Sequence, residues 1–293
     1  MSAYSAARSS TLRPRSVRQP LNRAAHYTVA TIIALLFLFP IAWTILRSVQ
    51  TLSVAGSGVG PQMFQGLTFD NYTALQDSGV SLWTYTANSA IVALGTTALT
   101  TVVATLAGYG LARLRFPGAG AVFVLLLVPF MVPFQGILTP LFTLMNTLGL
   151  TDNLIGLVFV YTTFQLPFAI FVMRNAFSTV PKELEETGMI DGLSTFGILR
   201  TLLPMVTPGM ATVALYAFIF AWNDFLAALI LITSQNSFTL PVALVNIQSG
   251  QFGQVDFGVL SAGATVATIP CLIAFLLLQR YYVNGLSAGA VKG

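Results

Sequence analysis

The chain has 293 residues, of which 55% are hydrophobic, 12% aromatic and only 8% charged, with a formal net charge of +4. An ordinary soluble domain is about one quarter charged, so this composition, with a mean hydropathy of +0.80, predicts an all-α integral membrane protein. The basic residues lie beside apolar runs rather than on a basic face with aromatic platforms, which argues against a nucleic-acid partner.

Six apolar runs approach the ~20 residues that cross a hydrocarbon core, and each predicts one transmembrane helix. Together they predict a six-span domain over residues 27–283, followed by a tail over 284–293. An even number of spans puts both termini on one side. In that threading the flanking Lys and Arg residues, except Arg47, face the cytoplasm with the termini, as the positive-inside rule requires. The runs cover residues 27–46, 86–112, 121–144, 154–177, 206–232 and 261–278.

Residues 1–26 are rich in Ser, Ala and Arg and predict a disordered basic arm in the cytoplasm. A basic start before an apolar run is also typical of a secretory signal, and residues 53–55 offer a small-x-small cleavage pattern. The run is too long for the core of a signal peptide, however, and five further runs follow. We therefore interpret 27–46 as a retained span.

Prolines in the third and fourth runs predict kinked helices. An interior proline removes one backbone hydrogen bond, which a membrane tolerates where neighbouring helices or a wet cavity satisfy the freed carbonyl. Proline is also common in membrane helices in general, so the three in the third run carry more weight than the one in the fourth. The prolines are Pro129, Pro133, Pro140 and Pro167, and the polar candidates for lining a path here are Gln135 and Gln165.

The stretch between the fourth and fifth runs carries four acids and an arginine on the predicted cytoplasmic side. Pro181 suits the first turn of a helix, and three glutamates would follow near its positive end. Gly192 can take the left-handed conformation that ends this helix, and Ser194 or Thr195 can cap a second one. Residues 181–204 thus predict a helix-turn-helix elbow, which is either a solvated connection or a docking handle for a soluble partner.

The fifth run contains Asn223 and Asp224, which are further candidates for the translocation path. A carboxylate near the bilayer centre costs about 2.5 to 3.5 kcal/mol on insertion scales, so it should face protein or water. Two interpretations of Asp224 have equal standing. It either acts in the pathway or serves as a structural cap or interhelical hydrogen bond.

The residue types needed for catalysis are scarce. A P-loop needs Gly-Lys-Ser/Thr, whereas Lys182 and Lys292 follow proline and valine. Residues 285–289 match a nucleophile elbow, but that site needs a histidine base, and the sole histidine, His26, precedes the first run. His26 and Cys271 are single, which leaves no His or Cys metal cluster. The sequence predicts a chain without catalytic residues, bound metal or cofactor.

Residues 183–204 resemble the EAA loop of ATP-binding-cassette (ABC) importer permeases, which in the sugar family commonly reads EEAA, two residues, DG and an apolar segment ending LP. Five other segments share the likeness: FDNY, NSAIVALGTT, GYGLARLRFPG, FAWNDF and NGLSAGAVKG. The combination resembles the second permease subunit of carbohydrate importers of the maltose-transporter type. The residues at matching loop positions are Glu185, Glu186, Ile190, Asp191, Gly192, Leu203 and Pro204.

The resemblance implies a type I ABC importer permease fold in a bacterial inner (plasma) membrane. It implies that the seven loop residues couple the chain to two cytoplasmic ATPases, which would bind ATP and Mg²⁺, and that the tail through Lys292 reaches between them. The other implied partners are a second homologous permease, an extracytoplasmic solute-binding protein and a sugar substrate, either a di- or oligosaccharide or a related sugar. Importers of glycerol phosphate esters are an alternative within the same class.

Two departures from the family pattern concern the elbow. Thr187 and Gly188 replace an alanine pair, and Gly188 should weaken the first helix by about 1 kcal/mol relative to Ala. The segment from Gly192 to Pro204 is one residue shorter than the pattern, which changes the register of the second arm. An ion-gradient-driven secondary transporter or channel remains the alternative function, although it predicts internal repeats that we do not find. A structural membrane scaffold is a third.

Overall fold

The structure, a computed structural model, describes residues 19–51, 66–73, 81–250 and 255–290, and the regular elements in these ranges are helices. The chain divides into two units, Met1–Thr44 and Ile45–Gly293. The α-helices are α1 (Gln19–Ser48), α2 (Leu82–Arg113), α3 (Ala119–Leu127), α4 (Leu138–Thr147), α5 (Leu154–Ser178), α6 (Glu183–Ile190), α7 (Thr195–Leu202), α8 (Thr207–Asn223), α9 (Leu226–Leu231), α10 (Leu240–Gln248) and α11 (Phe257–Ala290).

Within the described ranges, five helices are long and apolar enough to cross a membrane. A sixth span is obtained if the segments Ala119–Met131 and Phe134–Thr147, which meet at a bend of 91°, count as one. The prediction of six spans is confirmed in this sense, and the kink predicted for the third span is a full break. Pro129 and Pro133 explain it, because two short 3₁₀ turns replace the α-helix around them. In contrast, α5 continues through Pro167.

Glycines bring α2, α5 and α8 close together at the centre of the second unit. A Cβ atom added to Gly108 of α2 would lie 2.6 Å from the Cβ of Met173 on α5. One added to Gly209 of α8 would lie 2.8 Å from the Cβ of Ala176, also on α5. Neither glycine can be replaced without moving the helices apart, so small residues set the spacing of the bundle.

Two apolar clusters fill the bundle, one towards each end. The cluster at the elbow end joins α2 and α5 to α7 and includes Tyr109, Phe177 and Leu199. The cluster at the opposite end includes Tyr85, Tyr161 and Trp222, together with residues of α9 and α10. The short helix α10 lies in the connection between α9 and α11.

The FDNY segment closes the opposite end of the second unit. Its residues form a 3₁₀ turn at Asp70–Tyr72, and the buried Asn71 amide donates hydrogen bonds of 2.8 and 2.7 Å to the carbonyls of Ser48 and Gln50. Asn71 also contacts Gly258 at the start of α11, where an added Cβ would approach it within 2.8 Å. These contacts attach the FDNY turn to residues 48–50 and to the start of α11.

Three helix boundaries differ from the predicted limits of the spans. Helix α1 begins at Gln19, within the arm predicted to be disordered to residue 26, because Pro20 suits a first helical turn. Helix α11 continues to Ala290 through most of the predicted tail, since adding residues to an existing helix is easier than starting one. The predicted span 206–232 is interrupted, because α8 ends at Asn223 and Asp224 is extended, with ψ of 131°. The remainder of the arm and Lys292 lie outside the described residues.

Candidate coupling elbow and path residues

The predicted elbow is present, and its first helix is α6. The acids Glu183, Glu185 and Glu186 occupy the first turn, where they interact favourably with the positive end of the helix dipole. The amides of Glu185 and Glu186 both bond the carbonyl of Lys182, which begins the helix. The local signals at the N-terminus therefore place α6 within two residues of Pro181.

Gly192 ends α6 in the left-handed conformation, with φ of +77°. The amide of Gly192 bonds the carbonyl of Met189 at 3.1 Å, and the amide of Leu193 bonds the carbonyl of Gly188 at 2.9 Å. This pair of bonds defines a Schellman motif, for which glycine is the preferred residue. The chain then reverses, and the hydroxyl of Ser194 caps α7 by accepting a bond from the amide of Gly197 at 3.2 Å.

Helix α7 is anchored to the bundle on one face. Ile198, Leu199 and Leu202 are buried and belong to the apolar cluster at the elbow end. The chain continues from α7 through a 3₁₀ turn containing Leu203 and Pro204 directly into α8. A helical turn rather than a loop therefore joins α7 to α8.

The surface around the turn is exposed and combines apolar with acidic side chains. Ile190 is 85% exposed, Phe196 70% and Met189 63%. Exposed apolar side chains grouped in this way, and rimmed by polar groups, are typical of an interaction surface. We call this surface the elbow tip, and it consists of Glu186, Met189, Ile190, Asp191 and Phe196.

Glu185 does not belong to the elbow tip. It is only 9% exposed, and its Oε1 lies 2.9 Å from Nε of Arg113 at the end of α2. The next residue, Glu186, points outward. The two acids that the family pattern groups together therefore have different surroundings, and Glu185 has no open surface to offer a docking protein.

Gly188, which departs from the family pattern, packs against the second arm of the elbow. An added Cβ would lie 3.3 Å from Cγ1 of Ile198 and 3.5 Å from Cδ1 of Leu193. The first distance is tighter than an ordinary contact, so alanine would fit only if Ile198 moved slightly. The glycine lowers the intrinsic stability of α6 but lets the two arms of the elbow approach closely.

Asp224 has both of the structural contacts expected of a buried acid. Its Oδ2 accepts a hydrogen bond of 2.7 Å from the hydroxyl of Tyr161 on α5. The same oxygen accepts a bond of 3.0 Å from the amide of Ala227 in the first turn of α9. Asp224 thus links two helices and caps a third, at the point where α8 ends.

The other path candidates are not equivalent. Gln165 is 2% exposed and lies inside the bundle. Gln135 is exposed on the 3₁₀ turn Phe134–Ile137, and Asn223 is exposed at the end of α8, where its amide donates to the carbonyl of Ile219 at 2.8 Å. Gln135 and Asn223 are therefore the two exposed candidates, and Asp224 is half-buried.

Two residues of this region were not found from the sequence. Arg113 follows an apolar run and was interpreted only as a topology signal, and Tyr161 carries no local signal that separates it from other aromatic residues in α5. Among the described residues, no group of three or more His, Cys, Asp or Glu side chains could hold a metal ion.

The sequence pattern of the family described as "Binding-protein-dependent transport system inner membrane component" matches residues 101–287, which include the elbow, α8 and Asp224. The chain belongs to this family. The resemblance to ABC importer permeases is thereby confirmed.

Two curated relatives of this binding-protein-dependent permease cover nearly its whole length. The trehalose transport system permease protein SugB of Mycobacterium tuberculosis is 35% identical over 92% of this chain and 98% of its own. The trehalose/maltose transport system permease protein MalG of Thermococcus litoralis is 34% identical over 90% of this chain and 95% of its own.

A solved structure supports the fold. A chain of a bacterial ABC transporter that imports the acidic polysaccharide alginate superposes with a TM-score of 0.77, covering 91% of this permease and 98% of that chain. At 22% sequence identity this likeness establishes the fold alone. The permease therefore has the all-α, multi-span fold of an ABC importer.

Proposed function

We propose that this chain is the permease subunit of an ABC importer for a carbohydrate, either a di- or oligosaccharide or a related sugar. The observation that carries the proposal is the elbow tip, an apolar and acidic surface on a short helical hairpin between two membrane spans. The substrate class is supported by relatives named for trehalose and trehalose/maltose transport. The chain would supply half of the translocation pathway, and a second homologous permease the other half.

Two cytoplasmic ATPases would drive the cycle, each holding the elbow of one permease. The ATPases would bind ATP and Mg²⁺, so this chain would take no part in hydrolysis. Closure of the ATPases would displace the elbow tip, and α7 would pass the displacement to α8 because its buried face is fixed in the bundle. The pathway would then alternate between inward-open and outward-facing states.

The proposed coupling requires the elbow to face the cytoplasm, where the ATPases would lie. Both termini would lie in the cytoplasm of a bacterial inner membrane, on the same side as the elbow. The opposite end, with its FDNY turn, would face the extracytoplasmic solute-binding protein that delivers sugar. Gln135 and Asn223, whose side chains are exposed, are the stronger of the four path candidates. Lys292 is retained as a candidate contact to the ATPases.

Alternatives make different predictions. A carrier driven by an ion gradient would transport in the absence of ATPases, and family membership favours the binding-protein-dependent system. Glycerol phosphate esters remain an alternative substrate class. The two substrate classes can be distinguished by titrating a panel of sugars and phosphate esters against the solute-binding protein that co-purifies with the complex.

The decisive experiment reverses one charge at each end of the molecule. Glu186→Lys should reduce co-purification of the ATPases with the permease, because the reversal places a cation in the docking surface. Asp70→Lys reverses another exposed acid, at the opposite end, and as the matched control it should leave the complex intact. Equal ATPase recovery for both variants and the native chain would refute docking at the elbow.

A further inference from the structure

Arg113 connects three helices at the elbow end, since it ends α2 and contacts α6 and the end of α5. It is the last residue of α2, and its Nε lies 2.9 Å from Oε1 of Glu185 on α6. Its Nη2 donates hydrogen bonds to the carbonyls of Phe177 and Val180 where α5 ends. Phe177 is in the last turn of α5, where basic side chains commonly bond backbone carbonyls, and Val180 lies two residues beyond the helix.

The contact is enclosed. The Arg113 side chain is 4% exposed and that of Glu185 is 11% exposed. Nε and Oε1 are not aligned as a hydrogen bond, so the contact is an ion pair at short distance. Buried charges are retained only when they are compensated, and removing one partner leaves the other charge without compensation.

The pair also adds a connection that the chain itself lacks. The elbow is joined covalently to α5 through residues 179–182 and to α8 through residues 203–206. Helix α2 is distant in sequence from the elbow, and its last residue, Arg113, contacts Glu185 of α6. Helix α2 already packs against α5, and the ion pair adds a direct link from α2 to α6, the first helix of the elbow.

We infer that Arg113 and Glu185 are positioning residues that link α2 directly to α6, so that a displacement of the elbow tip is transmitted to α2 through the ion pair. Glu186 contacts the ATPase, and Glu185 transmits the displacement of the elbow to α2. This inference rests on the proposed coupling function. It assigns to two adjacent glutamates two different tasks, one at an interface between proteins and one inside the permease.

The test uses the complete importer, reconstituted in liposomes with its ATPases and binding protein. Glu185→Gln removes one charge, and the double variant R113M/E185M removes both while keeping similar volume, a replacement that buried ion pairs often tolerate. The readouts are recovery of the assembled complex and the amount of substrate imported per ATP hydrolysed. We expect assembly of the double variant with import per ATP reduced about fivefold or more.

Two results would overturn the inference. One is an unchanged ratio of import to hydrolysis in an assembled variant. The other is failure of both variants to assemble, which would assign the pair to folding alone. Glu186→Lys in the same assay separates this inference from the docking proposal. If Glu186→Lys loses the ATPases while R113M/E185M stays coupled, docking stands and the positioning role fails. If Glu186→Lys retains them, docking itself fails.

Discussion

The contact between Tyr161 and Asp224 allows the structural and transport roles of Asp224 to be separated. Tyr161 is fully buried, and its hydroxyl donates to Asp224 at 2.7 Å. Asp224→Leu removes this bond and the cap on Ala227, and it leaves the Tyr161 hydroxyl without that partner. Two hydrogen bonds at about 1 kcal/mol each and about 1 to 3 kcal/mol for a stranded hydroxyl predict a loss of about 3 to 5 kcal/mol.

A second substitution removes the Tyr161 hydroxyl that Asp224→Leu leaves without its partner. Tyr161→Phe alone should cost about 1 kcal/mol, whereas adding it to Asp224→Leu should recover part of the loss, because the buried hydroxyl is gone. The assay is a double-mutant cycle on the free energy of unfolding in detergent micelles. Tyr216→Phe on α8, a more exposed tyrosine, is the control and should change stability by less than about 0.5 kcal/mol. Additive effects in the cycle would refute the reasoning.

Transport by the double variant Y161F/D224L decides between the two interpretations of Asp224. If Asp224 is only a structural link, import should recover together with stability. If Asp224 acts in the pathway, import should remain low although the protein is stable again. The same comparison tests the expectation that Asp224→Leu impairs transport or assembly, since wild-type levels of both would contradict either role.

Further predictions concern backbone positions and pH. Gly192→Pro should leave the permease inserted but reduce import per ATP, because the left-handed turn that orients the elbow tip is lost; unchanged coupling would contradict this. Gly108→Ala should destabilise the bundle by about 1 to 3 kcal/mol in thermal unfolding, whereas Gly110→Ala on the same helix, with open space around it, should not. Hydrogen bonds from Ser234 lower the pKa of Asp152, so this contact stabilises the folded chain at neutral pH and is lost as the pH falls through that lowered pKa. Asp152→Asn should remove that part of the acid-induced loss of thermal stability, and equal acid sensitivity of both proteins would refute the assignment.

The elbow could be predicted from the sequence because its signals are local. A proline and acids near the start of α6, Gly192 at its end and Ser194 before α7 each act within a few residues. The observed helices, Glu183–Ile190 and Thr195–Leu202, fall inside the predicted 181–204. The position of the break in the third span could be predicted from its prolines, but the angle of the bend could not. Two consecutive 3₁₀ turns produce a larger bend than one proline kink.

The surroundings of Asp224 could not be predicted because they depend on contacts distant in sequence. Tyr161 lies 63 positions away, and only the packing of α5 against α8 brings it to the carboxylate. An apolar window cannot reveal that the helix stops at Asn223 either. The run FIFAWNDFLAALILI is continuous in hydropathy, while the stop depends on an acid that caps the next helix.

The different directions of Glu185 and Glu186 show what fixes a docking surface. Consecutive residues of a helix point about 100° apart, so only one of two adjacent acids can face the bundle. The family pattern allows either choice. Arg113 decides it, because its guanidinium is held between the carbonyls that end α5 and attracts the carboxylate on the inner face. With Glu185 turned inward, the same rotation carries Ile190 and Glu186 outward together, which makes the internal ion pair a determinant of the external surface.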